Sequence, residues 1–338
     1  MANLSVTYMG IELKNPVIIG ASGLTSNLKL IKQIEEAGAG AIVCKSLFEE
    51  EIQLQSLQHR KNMHQYDEWH AEMTSVFPNL NDIGPEDHLY WVKKTKESIN
   101  IPVIASINAV NEETWLNYSG LLEETGVDGI ELNLYSSPEF HLKTSDNIEQ
   151  RQIELLKKIR DRIKIPISVK LSPYYTNIAK FITQLDKMGI NGFVLFNRAF
   201  QTNIDIDREN MTFPFTFSHK EDNLLSLKMA GLLYKTIDHS ICCSTGIMDS
   251  EDIIKMLLAG ADAVQIVSTV IHNGIPFIAE ILEKMDNWMD NKEYHKISDF
   301  KGKLSRINLA QKDRWIYKRT QYIKILMQTS KSISESIY

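Results

Sequence analysis

Two lysines stand where lysine is costly. Lys45 closes the apolar run AIVCK (41–45) and Lys170 closes ISVK (167–170). A buried ammonium needs an anion beside it. An internal ion pair, for example with Glu131, would supply one, and so would an anionic ligand. Short polar sets close other apolar runs: Ala21-Ser22-Gly23, Ser46, Ser106-Ile107-Asn108, Asn133, Ser172, Asn197-Arg198, Ser244-Thr245-Gly246 and Ser268-Thr269. The inventory is amides, hydroxyls and two ammonium groups, with few carboxylates. Metal-dependent hydrolysis wants His and carboxylates together, so the set disfavours it. Fixed cations among neutral hydrogen-bonding groups suit an anionic, heteroaromatic small molecule. Small residues around Gly246 and Ser268 leave backbone N–H groups available for a phosphate. Singly, each Asn or Ser reads equally well as a cap for the next helix. The chemistry rests on the set.

These residues need a scaffold that brings run ends together. Four segments share one pattern: 35–46, 123–134, 185–197 and 257–268. Each is a helix tail, a glycine (Gly38, Gly126, Gly189, Gly260) suited to a left-handed C-terminal turn, then a continuous apolar run. Between them lie 14–23, 99–108, 163–172 and 237–246, three of which place a proline at the strand start, where no ladder N–H is lost. The two patterns alternate four times, separated by helical stretches such as 86–99 and 147–163. This predicts eight βα units. An open doubly wound sheet satisfies the same alternation, but eight right-handed units can close into a (β/α)8 TIM barrel and leave no sheet edge. In such a barrel the strand C-termini form the site, and those are the polar sets above. Residues 47–83 and 199–222 interrupt the repeat after strands 2 and 6, without clear elements of their own, and read as lids or binding loops.

Bulk properties narrow the function. The chain has 338 residues, 43% hydrophobic and 24% charged, with net charge −6. That balance argues against a general nucleic-acid binder. No apolar run reaches the ~20 residues of a membrane span. The N-terminus has no secretory signal pattern. Cys44, Cys242 and Cys243 form no metal spacing and read as reduced, buried thiols of a cytoplasmic protein. His59, His64 and His70, with Asp67 and Glu68, match no metal motif and read as a solvated lid. We divide the chain into a barrel, 1–305, and a C-terminal extension, 306–338. From 303 onward there are eight Lys/Arg against two Asp/Glu. Trp315, Ile316, Tyr322, Ile323 and Leu326 recur at helical spacing, which predicts an amphipathic helix packed on the barrel or on a partner subunit.

NPVIIGASG (15–23), CKS (44–46), IELNL (130–134), VKLSPY (169–174), STGI (244–247), LLAGADAVQIVST (257–269) and the tail 294–304 together resemble the dihydroorotate dehydrogenase family, most closely its class 1, cytosolic branch. The resemblance runs from about residue 4 to 305. It implies an FMN-containing barrel that oxidises dihydroorotate to orotate in pyrimidine biosynthesis, and a homodimer. It places Ala21, Ser22 and Gly23 along the flavin edge, and Lys45 and Ser46 against flavin and substrate. Asn133 and Asn197 would bond the substrate ring. Lys170 would sit near the pyrimidine end of the flavin, and Thr245, Gly246, Ser268 and Thr269 at its phosphate. The family base is a Cys in class 1 and a Ser in class 2, on the loop after strand 4. Here that loop reads Asn133-Leu134-Tyr135-Ser136-Ser137-Pro138: spacing from Asn133 selects Ser136, and adjacency to Pro138 selects Ser137. Class 2 relatives carry a membrane-associated N-terminal segment; this chain is expected to begin directly at the barrel.

The sequence also departs from the family pattern. The expected Asn-rich stretch after strand 2 is Thr74-Ser75-Val76-Phe77-Pro78-Asn79, and Glu139 follows the base-loop proline in place of Asn. The Gly-Gly pair after strand 6 is not evident in Thr216-Phe217-Ser218-His219. Lost amides can change the substrate, so a paralogue acting on another ring or enone is a second reading. A Schiff-base lyase using Lys45 or Lys170, and a catalytically silent flavin- or phosphate-binding protein, are further ones. Fumarate, a quinone, or a partner subunit relaying to NAD are the acceptors the family offers.

Overall fold

The computed structural model describes residues 2–48, 85–108, 112–134, 145–198, 203–212, 217–318 and 321–327. Eight strands form the core: β1 (Val17–Ile19), β2 (Ala41–Val43), β3 (Val103–Asn108), β4 (Gly129–Asn133), β5 (Ile167–Leu171), β6 (Gly192–Leu195), β7 (Ser240–Ser244) and β8 (Ala263–Ile266). All pair in parallel in the order β2-β1-β8-β7-β6-β5-β4-β3. β2 then pairs β3, Ile42 opposite Val103, and the barrel closes. The open-sheet alternative is thereby excluded.

Around it run α1 (Leu28–Glu36), α2 (Pro85–Ser98), α3 (Glu112–Glu124), α4 (Ser145–Arg162), α5 (Ile178–Lys187), α6 (Leu224–Leu233), α7 (Ser250–Ala259), a short α8 (Ser268–Asn273) and α9 (Phe277–Asn291). Gly38, Gly126, Gly189 and Gly260 all carry positive φ, as their positions after helix tails require. Pro16, Pro102 and Pro166 enter their strands without a donor. Their carbonyls nonetheless accept from Val264, Ile42 and Ile130 at 2.9, 3.1 and 3.0 Å, so each joins the ladder from its acceptor side.

Alternation along each strand divides the apolar core in two. Val17, Ile19, Ile42, Val103, Ile130, Val169, Leu195 and Val264 pack outward against Ile31, Val92, Trp115, Leu156 and Phe181 of the helices. Ile18, Ala41, Val43, Ile104, Val194, Cys242 and Ala263 face the lumen. Their partners there are Tyr8, Met9 and Leu13, from a hairpin of Val6–Tyr8 and Ile11–Leu13 that stoppers the N-terminal end. Gly192 makes room for this plug, since a Cβ there would lie 2.8 Å from Met9 Cγ.

Two stretches differ from the sequence reading. Within 199–222, Asn203–Asp205 and Asn210–Thr212 form an antiparallel hairpin. Its strands are three residues long and polar enough that no alternation betrays them. In the tail, Arg314–Tyr317 is a single 3-10 turn and 321–327 a separate short helix, so the described part is not one continuous amphipathic helix. Ile316, Tyr322, Ile323 and Leu326 are exposed. The contact with the barrel comes from Tyr317 instead, whose hydroxyl bonds Leu304 O at 3.0 Å and lies against Gly231 of α6.

Candidate active site

Toward its C-terminal end the lumen changes from apolar to polar. Ser106 (β3), Glu131 and Asn133 (β4), Lys170 (β5), Ser244 (β7) and Gln265 (β8) replace the aliphatic layer, all buried except Lys170, which is partly open. The same alternation that builds the apolar plug puts these polar residues inward, because they share its parity along the strands.

Lys170 is the centre of this layer. Its Nζ donates to Gln265 Oε1 at 3.0 Å and lies 3.5 Å from Glu131 Oε1. Gln265 Nε2 in turn donates to Glu131 Oε2. The ion pair considered from sequence is therefore real. It is also an odd choice for stability: replacing a buried pair by packed apolar groups is commonly neutral or favourable by about 1–4 kcal/mol. A buried charge pair facing a barrel mouth is better explained by what the mouth binds. Gln265 escaped the sequence reading. The signal was present, since AVQI (263–266) sets one polar side chain inside an apolar strand. Burial, with Cys243 and Glu131 adding to it, holds the nearby Cys242 thiol well above its usual range, so it stays neutral there.

The other residues expected at the site follow the C-terminal ends of the neighbouring strands. Asn197, just beyond β6, donates from Nδ2 to Asn133 Oδ1 at 2.9 Å, joining the ends of β4 and β6 across β5. Lys45 and Ser46 follow β2. The Lys45 carbonyl lies 3.0 Å from His88 Nε2, and Ser46 Oγ lies 2.7 Å from Ser106 Oγ, tying the β2 end to β3. Ala21, Ser22 and Gly23 follow β1. Ser22 Oγ accepts from Leu24 N and donates to Gly20 O, so it caps the 3-10 turn Gly23–Ser26. Space beside Gly23 is open, with nothing within 4 Å of where a Cβ would stand.

Beyond β7 and β8 the backbone turns tightly. Thr245 and Gly246 both have φ of 72°, an unusual conformation for threonine and one that gathers at ligand sites. Thr245 Oγ1 is held by Phe196 O at 2.9 Å. Gly246 packs so closely that a Cβ would sit 2.5 Å from Asn223 N and 2.6 Å from His219 O. Ser268 Oγ accepts from Ser218 N and pairs with Ser218 Oγ at 3.2 and 3.0 Å. The Thr269 hydroxyl donates to Ile247 O. Ser268 and Thr269 open α8, where first-turn N–H groups have no partner within the helix. Ser136 and Ser137 lie outside the described residues, as do Glu139 and Thr74–Asn79. So do His59, His64 and His70; among the described residues no cluster of metal-ligating side chains occurs, and no helix is long and apolar enough to cross a membrane.

A closed parallel barrel with a cation and an amide pair at its C-terminal mouth defines a (β/α)8 scaffold. The family model described as dihydroorotate dehydrogenase matches residues 3–289, and the chain belongs to that family. It is an oxidoreductase of dihydroorotate dehydrogenase type, a flavin-dependent class that acts on a CH–CH bond. Among curated proteins it is 28% identical over 296 residues to the dihydroorotate dehydrogenase B (NAD(+)) catalytic subunit of Methanocaldococcus jannaschii, covering 85% of this chain and 93% of that one. The proteins of the same name from Thermoplasma volcanium and Pyrococcus furiosus are each 27% identical, covering 89% and 92% of this chain and 98% and 99% of theirs.

Proposed function

We propose that the chain oxidises dihydroorotate to orotate with FMN at the C-terminal rim of the barrel, and that the Lys170–Gln265–Glu131 cluster marks the floor of that site. The single observation carrying this reading is an ammonium held in the lumen on Lys170, whose register partner Asn133 accepts from Asn197. The residues present fit a flavin nucleotide. Ala21 and Gly23 allow a flat ring to approach closely. The Thr245–Gly246 turn, crowded at Gly246 so that no Cβ fits there, and the first-turn N–H groups of Ser268 and Thr269 suit a phosphate.

When bound, FMN supplies a hydride acceptor. The protein's share is binding and orientation. Asn133 and Asn197 bond the edge of the substrate ring and fix its plane. Lys45 reaches both ligands from the β2 end. Lys170 would hold the flavin with positive charge, which favours its reduced form. Ser136 or Ser137 removes a proton from the ring carbon beside the one that loses hydride. A lone hydroxyl is a poor base, so that serine needs a proton relay.

A second reading is favoured by a specific observation: Thr74–Asn79 and Glu139 stand where the family has further asparagines. On it, the same flavin acts on a different ring or enone. Names of the curated relatives carry NAD(+) and a catalytic-subunit designation, which supports an electron route to NAD through a further subunit. The protein acts in the cytoplasm, where its buried thiols stay reduced, and assembles as a homodimer. The deciding measurement is a visible spectrum of purified protein, then anaerobic addition of dihydroorotate. Bleaching of the flavin supports the first reading. A yellow protein that dihydroorotate leaves unbleached moves the case to the second, and a colourless protein that never takes up FMN ends both.

A further inference from the structure

We propose that Glu131 and Gln265 form a buried clamp that positions the Lys170 ammonium and sets the charge the barrel presents to the flavin, an inference that rests on the reading of a flavin at this mouth. β4 and β8 stand four places apart in the closed sheet of eight, on opposite walls. A bond from Gln265 to Glu131 therefore spans the lumen. Depth follows the same order: Glu131 is 1% and Gln265 3% exposed, while the Lys170 side chain is 12% exposed. Glu131 is the register partner of Ser168 and Asn133 that of Lys170, so the lysine starts one inward-facing layer nearer the mouth and sets its ammonium on the clamp.

Residue chemistry explains why the bridging position is glutamine. The side-chain oxygen accepts from the ammonium and the nitrogen donates to the carboxylate, so one amide serves both ions. Leucine would serve neither, and glutamate would repel Glu131. Lysine has a flexible stem and three N–H donors. Gln265 and Glu131 engage it from below, which fixes the stem and leaves a donor for a ligand at the mouth. Charge follows from the same contacts. Lys170 with Glu131 sums to zero, so the flavin meets an oriented dipole rather than a whole cation. That moderates how strongly the reduced ring is stabilised.

The test compares midpoint potentials of bound FMN in the wild type, Glu131→Gln and Gln265→Leu, by anaerobic reduction against a reference dye, with sulfite affinity as a second readout. Glu131→Gln uncovers the full charge of Lys170. The reduced-to-oxidised ratio at a fixed poise should rise about tenfold, which is about 30 mV for a two-electron couple, and sulfite should bind more tightly. Gln265→Leu releases the ammonium to settle on Glu131, so its potential should move the opposite way. Opposite shifts support the clamp. Wild-type potentials in both variants, or equal shifts of one sign that only track lost thermal stability, overturn it. Should Glu131→Gln fail to fold, Gln265→Leu decides alone: an unmoved potential rejects the clamp and a lowered one upholds it. A wild type that binds no flavin refutes the functional reading instead, a result distinct from flavin-loaded variants whose potentials coincide.

Discussion

The proton acceptor is where residue identity matters most. Cys44, Cys242 and Cys243 are all the cysteines in the chain, and all three are buried. Burial pushes the Cys44 thiol up to about 12. None lies in the loop after β4, so a cysteine base is excluded there, and the base we propose is Ser136 or Ser137. Replacing the true base by alanine should slow flavin reduction by about 10²- to 10⁴-fold, the usual contribution of a positioned base. Replacing the other should change it by less than about tenfold. Rapid-mixing kinetics on Ser136→Ala and Ser137→Ala separate the two, and equal small effects in both would remove serine from the mechanism. The loop is proposed for this role because asparagine, serine and proline fall at fixed offsets in it. Gln265 was not read because its role exists only across the lumen, and nothing local to β8 shows what stands on the opposite wall.

At the scale of elements, the turn after β7 and the cap of α7 make separate demands. Gly246 combines a left-handed backbone with close packing against the 219–223 segment. Gly246→Ala should cost about 1–3 kcal/mol of stability and should weaken FMN binding measurably; fluorescence titration of apoprotein together with thermal melting tests both. Asp249 caps α7 by accepting from Asp252 N at 2.9 Å, and it pairs Lys220 at 2.7 Å. Burial acts to raise its carboxyl, but the Lys220 bond and the Asp252 N–H outweigh it and hold the group below the usual carboxylate range. A depressed folded value adds stability above the unfolded value, and that part is lost as pH falls through the folded one. Asparagine keeps the cap and removes the charge. The urea midpoint of Asp249→Asn should therefore fall below that of the wild type at pH ~7 and converge with it below pH ~3, the region under an ordinary aspartate pKa. Its partial exposure keeps the gap small. A gap that widens in acid would contradict the sign. The four glycine-terminated βα units were legible because each repeats a whole local pattern; the 203–212 hairpin was not, because three-residue polar strands have no period to detect.

The whole molecule is a barrel with one end stoppered and the other equipped for chemistry. The N-terminal hairpin closes the first end, and the polar layer above it faces the second. We propose a division into a barrel, 1–305, and an appendage, 306–338, whose described part touches α6. The appendage is anchored by Arg306 N to Gly231 O at 2.9 Å and by the Tyr317 hydroxyl. A chain ending at residue 305 should keep its flavin spectrum but melt several degrees lower, as expected for losing about 1–2 kcal/mol in a protein of this size. Loss of flavin on truncation would make the appendage part of the site rather than a support for it.

Sequence alone determined the number of strands, their parallel direction and the residues at their C-termini. Those depend on local signals: glycine after a helix tail, proline before a strand, parity within an apolar run. It also supplied the family, through motifs spread over most of the chain. Only the tertiary structure decided that the sheet closes and that Lys170 is shared between an amide and a carboxylate from other strands. The same holds for the tail, where Ile316, Tyr322, Ile323 and Leu326 stay exposed while Tyr317 docks. Each of these is a contact between residues far apart in the chain. Which one forms depends on the lumen and surfaces that the assembled barrel creates, and on no periodicity within a single segment.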